Sequence, residues 1–353
     1  MSNNDHRIQF YTGCLLGGAI GDALGAPVEF KKLHEIRERY GPDGICGMEK
    51  KYGRRGAITD DTQMTLFTAE GLLRSHARFK DKGICSVSDV VHYAYIRWLQ
   101  TQGDVPEQCN GASFKDSFLL LIPELNSRRG PGNTCLSALR SGRIGSIREP
   151  INNSKGCGGI MRMAPAGLMG NVMNNVFQTG CECAAITHGH PSGYLAAGFF
   201  AELIKEIING AGLREAIDHC ATLLKTYKGH QECLDAVQQA LSCSERSEPV
   251  PETVESLGGG WVAEESLAIA LYCALVFEND FRKGVLLAVN HGGDSDSTGA
   301  ITGNILGALL GRSSIPDEWI TQVELADVIN GVAMDLYNAD HLGVIDCVKY
   351  PPN

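Results

Sequence analysis

Apolar residues recur at helical intervals through most of this chain and almost nowhere alternate with polar ones. That pattern limits the fold more than any other feature. A period near 3.6 buries one stripe of a helix, whereas a period of two buries one face of a strand. Residues 63–74 set Met64, Phe67 and Leu72 at helical spacing, and residues 88–100 do the same with Val90, Val91, Tyr95 and Trp98. Residues 193–208 and 263–277 are long, apolar and rich in small side chains, as befits helices buried around most of their circumference. Short pieces near Ile45 and Ile345 are the only candidate strands. Glycine-rich or polar stretches at 41–57, 127–132, 144–159 and 242–260 read as connections. There is no internal repeat and no low-complexity tail. The first and last apolar segments look equally core-like, so the expectation is one compact all-α domain over residues 1–353.

Composition narrows the function. An apolar share of 43% supports a substantial core. A formal charge of -10 argues against a sequence-independent binder of nucleic acid or anionic membrane, because such proteins need a positive footprint. The longest clean apolar run, 267–277, is far short of the ~20 residues a bilayer requires. The first ten residues lack a basic region followed by an apolar one, so no secretory signal is read. The 13 cysteines are odd in number, scattered, and free of any CxxC pair. They read as reduced, small hydrophobic residues, which suggests a cytoplasmic setting.

Two acidic tracts carry the chemistry. Thr59-Asp60-Asp61-Thr62 precedes a helical stretch beginning near Gln63, and Asp294-Ser295-Asp296-Ser297-Thr298 precedes the small-residue stretch 299–310. Helix capping explains one such residue well. It does not explain three or four oxygen-bearing side chains in a row, twice. Mg²⁺ and Mn²⁺ take hard oxygen ligands in near-octahedral geometry. Asp60, Asp61, Asp294 and Asp296 with the hydroxyls of Thr59 and Ser297 furnish such ligands, and four carboxylates balance two divalent ions. Paired metals commonly clamp an oxygen-rich substrate and activate water.

Three further segments are candidates for the same site. In the stretch from Gly17 to Glu29, the glycines suit close helix packing rather than a dinucleotide fingerprint, which leaves Asp22 and Glu29 as the acids to explain. The stretch Ser154, Lys155, Gly156, Cys157, Gly158, Gly159 can bring backbone N–H groups to phosphate oxygens, although it is not a P-loop. Thr187-His188-Gly189-His190-Pro191 puts two histidines in a tight turn, where a site-lining role is expected.

Taken together these motifs resemble the ADP-ribosylglycohydrolase family. GGAIGDALGAPVEF, ITDDTQMTLFTAEGLL, GPGNTCLSAL, SKGCGGIMRMAP, ITHGHPSG, GGWVAEESLAIALYC and NHGGDSDSTGAITGNILGA run in family order over most of the chain. The resemblance implies an all-α, compact orthogonal helical bundle with a binuclear Mg²⁺ or Mn²⁺ cleft. It implies metal ligation by Thr59, Asp60, Asp61, Asp294, Asp296 and Ser297, the last a position where the family often has Thr. Glu29 matches a mobile glutamate that faces the metals. Ser154–Gly159 resembles the segment wrapping the ADP-ribose diphosphate, and His188 a histidine near the ribose–phosphate portion. Relatives commonly have Asn at the Cys157 position. The implied reaction is hydrolysis of ADP-ribose from a modified protein, with arginine the leading acceptor, and with Glu29, Asp60, Asp61 and Asp296 as the carboxyls of catalysis. Alternatives are a serine-linked or O-acetyl conjugate, or an immunity protein that binds and neutralises an ADP-ribosyltransferase toxin. An ADP-ribosylated protein is the expected partner and an ADP-ribosyltransferase a second one.

Overall fold

The computed structural model describes residues 3–104 and 116–352. Sixteen α-helices are found among them, joined by turns and short 3-10 segments. The first four are α1 (Asn3–Gly25), α2 (Leu33–Tyr40), α3 (Asp60–Lys82) and α4 (Val87–Thr101). The middle of the chain holds α5 (Asn133–Arg140), α6 (Ala164–Gly167), α7 (Val176–Ala185), α8 (Pro191–Ile208), α9 (Leu213–Leu224) and α10 (Gln231–Arg246). The remainder comprises α11 (Pro251–Ser256), α12 (Ala263–Val276), α13 (Phe281–Val289), α14 (Ser295–Leu310), α15 (Asp317–Gln322) and α16 (Ala326–Tyr337). The fold is an all-α helical bundle, as the periodicity leads one to expect.

The centre of the bundle is the antiparallel pair α1 and α14, and glycine makes it possible. Gly13, Gly17, Gly21 and Gly25 recur every four residues and so form one stripe of α1. They meet Gly307, Gly303, Gly299 and Ser295 of α14 in turn. A Cβ at Gly21 would lie 1.9 Å from the Gly299 carbonyl oxygen, and one at Gly17 would lie 2.2 Å from that of Gly303. No side chain fits between the two backbones. The ladder therefore fixes both the separation and the register of the pair. Its last rung sets Gly25 against Ser295 and Asp296, at the start of α14.

A second support holds α3. Glu70 is fully buried between Arg74 and Arg97, each 3.1 Å away, which ties α3 to α4. Removing one partner of such a group strands a buried charge.

Four sequence expectations need correction. No strand forms at Ile45 or Ile345. Ile45 is a buried core residue, fixed by a hydrogen bond from its N–H to Asn290 Oδ1 at 2.8 Å. A two-stranded antiparallel hairpin instead interrupts the 41–57 connection, pairing β1 (Lys50–Lys51) with β2 (Arg54–Arg55) through a turn in which Tyr52 has φ 51° and Gly53 φ 83°. The 242–260 connection is partly helical, since α10 runs to Arg246 and α11 starts at Pro251, a residue suited to a first helical turn. Finally, both acidic tracts run from the N-cap into the first turn of their helices rather than ending before them, because Thr59 is the N-cap of α3, which begins at Asp60, and Asp294 that of α14, which begins at Ser295.

The twelve described cysteines are all unpaired, whereas Cys109 lies outside the described residues. Among the described residues no helix is long and apolar enough to cross a membrane.

Candidate active site

Both acidic helix starts face one cavity of about 310 Å³. Thr59 is the N-cap of α3 and accepts the Asp61 N–H at 3.2 Å, so the capping role is real for that residue. It is not the whole account. Asp22, at the inner end of α1, accepts the backbone N–H groups of Thr59 and Thr62 and the Thr62 hydroxyl. Asp22 thus clamps the start of α3 to α1, and that frees Asp60 and Asp61 to turn toward the cavity. Asp294 receives no capping bond from α14 and reaches the same space, as does Asp296. Glu29 arrives from the turn that ends α1, where its own N–H binds the Gly25 carbonyl at 3.0 Å. One oxygen each of Glu29, Asp294 and Asp296 lies within 4.8 Å of the others.

This crowding has an electrostatic signature. Burial, then the charge of Asp296, raises Asp60 and Asp61 well above the ordinary carboxylate range. Asp294 is raised for the same two reasons, and Asp296 is raised by burial. Burial and the charges of Asp296 and Asp294 push Glu29 up to about 10. Asp22 rises to about 7 through burial and Asp296, against the pull of its hydrogen bonds from Thr62 and Thr59. Lys51, carried in by the hairpin, is a nearby cation that lowers Glu29 and Asp296. Asp61 Oδ1 is buried without a hydrogen-bond partner among the described residues. Buried carboxyls lacking compensation, one with an orphaned oxygen, and a donor set that is almost entirely hard oxygen together fit a divalent cation.

A second group, Glu202, Glu206 and His219, also brings donor atoms within 4.8 Å of one another. Lys205 already sits against it, 2.6 Å from Glu202 and 3.1 Å from Glu206, and none of these residues lines the cavity. Two separate groups can therefore hold a metal, and only the first faces the cavity.

The opposite wall is built from Gly156, Cys157 and Gly158, with His188 behind them. The segment is pinned from both sides. Cys157 N–H binds the Trp261 carbonyl at 3.2 Å, and Ala263 N–H binds the Lys155 carbonyl at 2.8 Å. A Cβ at Gly156 or Gly158 would approach the His188 imidazole at 3.2–3.4 Å, so glycine lets the backbone lie flat over that ring. Cys157 Sγ bridges the walls, 2.7 Å from Asp294 Oδ2, and burial raises its thiol further from ionisation. Phe30 and Trp261 stack at the mouth with centroids 5.0 Å apart, both partly exposed. Phe30 holds a left-handed φ of 65° to get there.

The structure does not bring every expected residue to the cavity surface. Lys155 pairs with Glu232 and Glu264 instead. Ser154 Oγ meets Thr134 Oγ1 at 3.2 Å, Gly159 is buried against Ala184 and His188, and Thr59 stands behind Asp61. His190 does not line the site; its Nδ1 accepts the Ser192 N–H and caps α8. Sequence reasoning missed Gly130–Thr134 and Met161 on the wall, the Phe30–Trp261 pair, and the hairpin cation Lys51. The run GPGNT was visible as a loop, but nothing local tied it to the acidic tracts.

Comparison with known proteins agrees with this geometry. The family model described as ADP-ribosylglycohydrolase matches residues 3–343. The chain is 25% identical to the ADP-ribosyl-[dinitrogen reductase] glycohydrolase of Rhodospirillum rubrum, over 89% of this chain and 90% of that protein. It is 26% identical to the ADP-ribosylarginine hydrolase Tri1 of Pseudomonas putida, over 96% of this chain and 81% of the other. Among solved structures, an ADP-ribosylglycohydrolase-related protein complex superposes with a TM-score of 0.67 at 24% identity, covering 95% of this chain and 99% of that one.

Proposed function

The chain belongs to the ADP-ribosylglycohydrolase family, a family of hydrolases acting on ADP-ribose conjugates, and from that premise we propose that it removes ADP-ribose from modified arginine side chains of proteins. The single observation carrying this reading is the meeting of Glu29, Asp60, Asp61, Asp294 and Asp296, from three separate segments, on one cavity faced by a glycine-and-histidine wall. The relative named as an ADP-ribosylarginine hydrolase supports the arginine linkage, and the one named for ADP-ribosyl-dinitrogen reductase supports a modified protein as substrate.

In this reading Thr59, Asp60, Asp61, Asp294, Asp296 and Ser297 would hold a pair of divalent cations, Mg²⁺ or Mn²⁺. When bound, such cations supply Lewis-acid polarisation of oxygen and make water more acidic. The chain's own residues do the rest. Gly156 and Gly158 give the ligand close access to backbone, and His188 stands behind them. Water oxygen bonds to the anomeric carbon as that carbon's bond to the guanidine nitrogen breaks. The water proton passes to a carboxylate oxygen of Glu29, Asp60, Asp61 or Asp296, and the departing guanidine takes up a proton to leave as guanidinium. Positive charge developing on the ribose ring is met by the same carboxylates. We read residues 1–353 as one domain working in the cytoplasm. A hydrophobic core continuous from Tyr11 to Tyr350 supports the first point, and the unpaired cysteines support the second.

The test is a release assay on defined arginine-linked and serine-linked ADP-ribosyl peptides, with and without chelator. Release from arginine that chelation abolishes is the expected result. Release from serine alone would move the assignment to the other linkage, and full activity after complete chelation would overturn the metal reading.

A further inference from the structure

Arg162 is fully buried, yet among the described residues no carboxylate lies within ion-pairing distance of it. A guanidinium is always charged and only donates, so this one must be held for another purpose. Its Cζ lies over the Tyr95 ring, 4.1 Å from the centroid. Its Nη1 contacts the sulfurs of Met64 and Cys135, and its Nε has no partner. Its one strong hydrogen bond runs from Nη2 to Thr187 Oγ1 at 2.7 Å.

That bond decides what the threonine does next. Thr187 Oγ1 accepts from Arg162 and has a single hydrogen left to give. Three acceptors are in reach: the Ala184 carbonyl at 3.5 Å, the outer limit of a hydrogen bond, the Cys135 sulfur, a weak acceptor, and His188 Nδ1 at 2.8 Å. The arrangement favours Nδ1 as acceptor, because the reverse, Nδ1–H donating into the second lone pair of Oγ1, would leave the threonine hydrogen only the distant carbonyl or the weakly accepting sulfur. Burial and the charge of Arg162 hold the imidazole neutral, pushing His188 down to about 3. In a neutral ring that accepts at Nδ1, the hydrogen is on Nε2. No hydrogen bond from Nε2 to the protein is found among the described residues, and His188 lies on the cavity wall beside Gly156 and Gly158. The turn itself is braced. Asn152 Nδ2 donates to the Thr187 carbonyl at 2.8 Å, and Asn152 Oδ1 accepts from Ser154 and Gly189.

We propose that Arg162 and Thr187 are positioning residues that hold His188 as a neutral N–H donor, aimed from Nε2 at an acceptor oxygen of the ligand's ribose–diphosphate portion. The relay Arg162→Thr187→His188 gives that wall a donor of fixed direction, with a buried cation one residue behind it. The identity of the ligand rests on the proposed function; the state of the imidazole does not.

The test uses the full chain labelled with nitrogen-15 histidine. Two-bond proton–nitrogen spectra are expected to show His188 with a bare, hydrogen-bonded Nδ1 and a protonated Nε2. Thr187→Val keeps the shape and removes the hydroxyl. It should move the Nδ1 resonance to that of a free acceptor and weaken ADP-ribose binding, read by calorimetry, about ten-fold, as loss of one oriented hydrogen bond to a charged group does. Thr187→Ser should restore both. A hydrogen found on Nδ1 in the unsubstituted protein overturns the relay, as does a Thr187→Val protein with unchanged Nδ1 resonance and unchanged affinity. Should Thr187→Val not fold, the tautomer of the unsubstituted protein and of Thr187→Ser still decides. Failure of the unsubstituted protein to bind ADP-ribose would sink the ligand assignment instead, and the histidine spectrum would judge the relay separately.

Discussion

The two walls of the cavity solve opposite problems. One gathers five carboxyls with little to offset them, so every one is raised above its ordinary range. The other carries backbone, a neutral imidazole and a buried arginine with no carboxylate beside it. An acidic wall alone is a cation site, and a donor wall alone is an anion site. Placed across about 310 Å³ they suit a molecule that offers hydroxyls to one side and charged oxygens to the other.

The acidic wall depends most on Asp296, the charge that raises its neighbours. Asp296→Ala should lower kcat/KM for ADP-ribose release about a thousand-fold, roughly 4 kcal/mol of transition-state stabilisation. A loss under ten-fold in a steady-state assay would mean the acidic wall is not where the chemistry happens. The next effect is on stability. Saturating Mn²⁺ or Mg²⁺ should raise the melting temperature of chelator-treated protein, by an amount equivalent to about 2.7 kcal/mol at a hundred times the dissociation constant. Asp296→Ala should erase that shift in calorimetry, because only the folded site assembles the donors.

The walls should also differ in pH response. The carboxyls have folded values above their unfolded ones. Their contribution is therefore present below about pH 4 and is lost as pH rises toward about 7 for Asp22 and about 10 for Glu29. His188 is the reverse. Its contribution is complete above its ordinary 6.5 and is lost as pH falls toward about 3. Melting curves in chelator over roughly pH 5 to 9 should therefore fall as pH rises, because the raised carboxyls outnumber the single imidazole that works the other way. Asp296→Asn should flatten that fall, because Asp296 raises its neighbours; an unchanged slope would count against charge crowding. The smallest effect belongs to the mouth. Phe30→Ala removes a stacked aromatic pair worth about 1 kcal/mol, so stability in denaturant melts should fall by about that much, with kcat nearly constant in the release assay.

The two walls were unequally legible in the sequence. The acidic wall was readable because its residues are contiguous, and because several carboxyls and hydroxyls in a row exceed what a helix cap needs. Even so, the tracts lie far apart in sequence, at 59–62 and 294–298, and they meet through the packing of α1 on α14 and the clamp of Asp22 on the start of α3. The donor wall was readable as glycine and histidine but not as a device. Arg162 is separated from Thr187 by two helices, α6 and α7, and a lone Arg after Met161 carries no local sign that it will be buried without an acid. Lys155 fell within the segment expected to wrap the diphosphate, whereas Glu232 and Glu264, distant in sequence, claim its ammonium. The helices themselves followed from periodicity. The hairpin at 50–55 did not, because four paired residues are too few to show alternation.

The glycine ladder has a reach beyond packing. Gly17 and Gly303 touch no ligand, yet the chain runs from that seam directly to Asp22 and Glu29 on one side and back to Asp296 and Asp294 on the other. A methyl group inserted there would act as a shim, prying the two arms of a caliper apart at the pivot and opening its jaws at the tips. The tolerance of this hydrolase to mutation is thus set by residues deep in its spine, and a screen confined to the cavity would never find them.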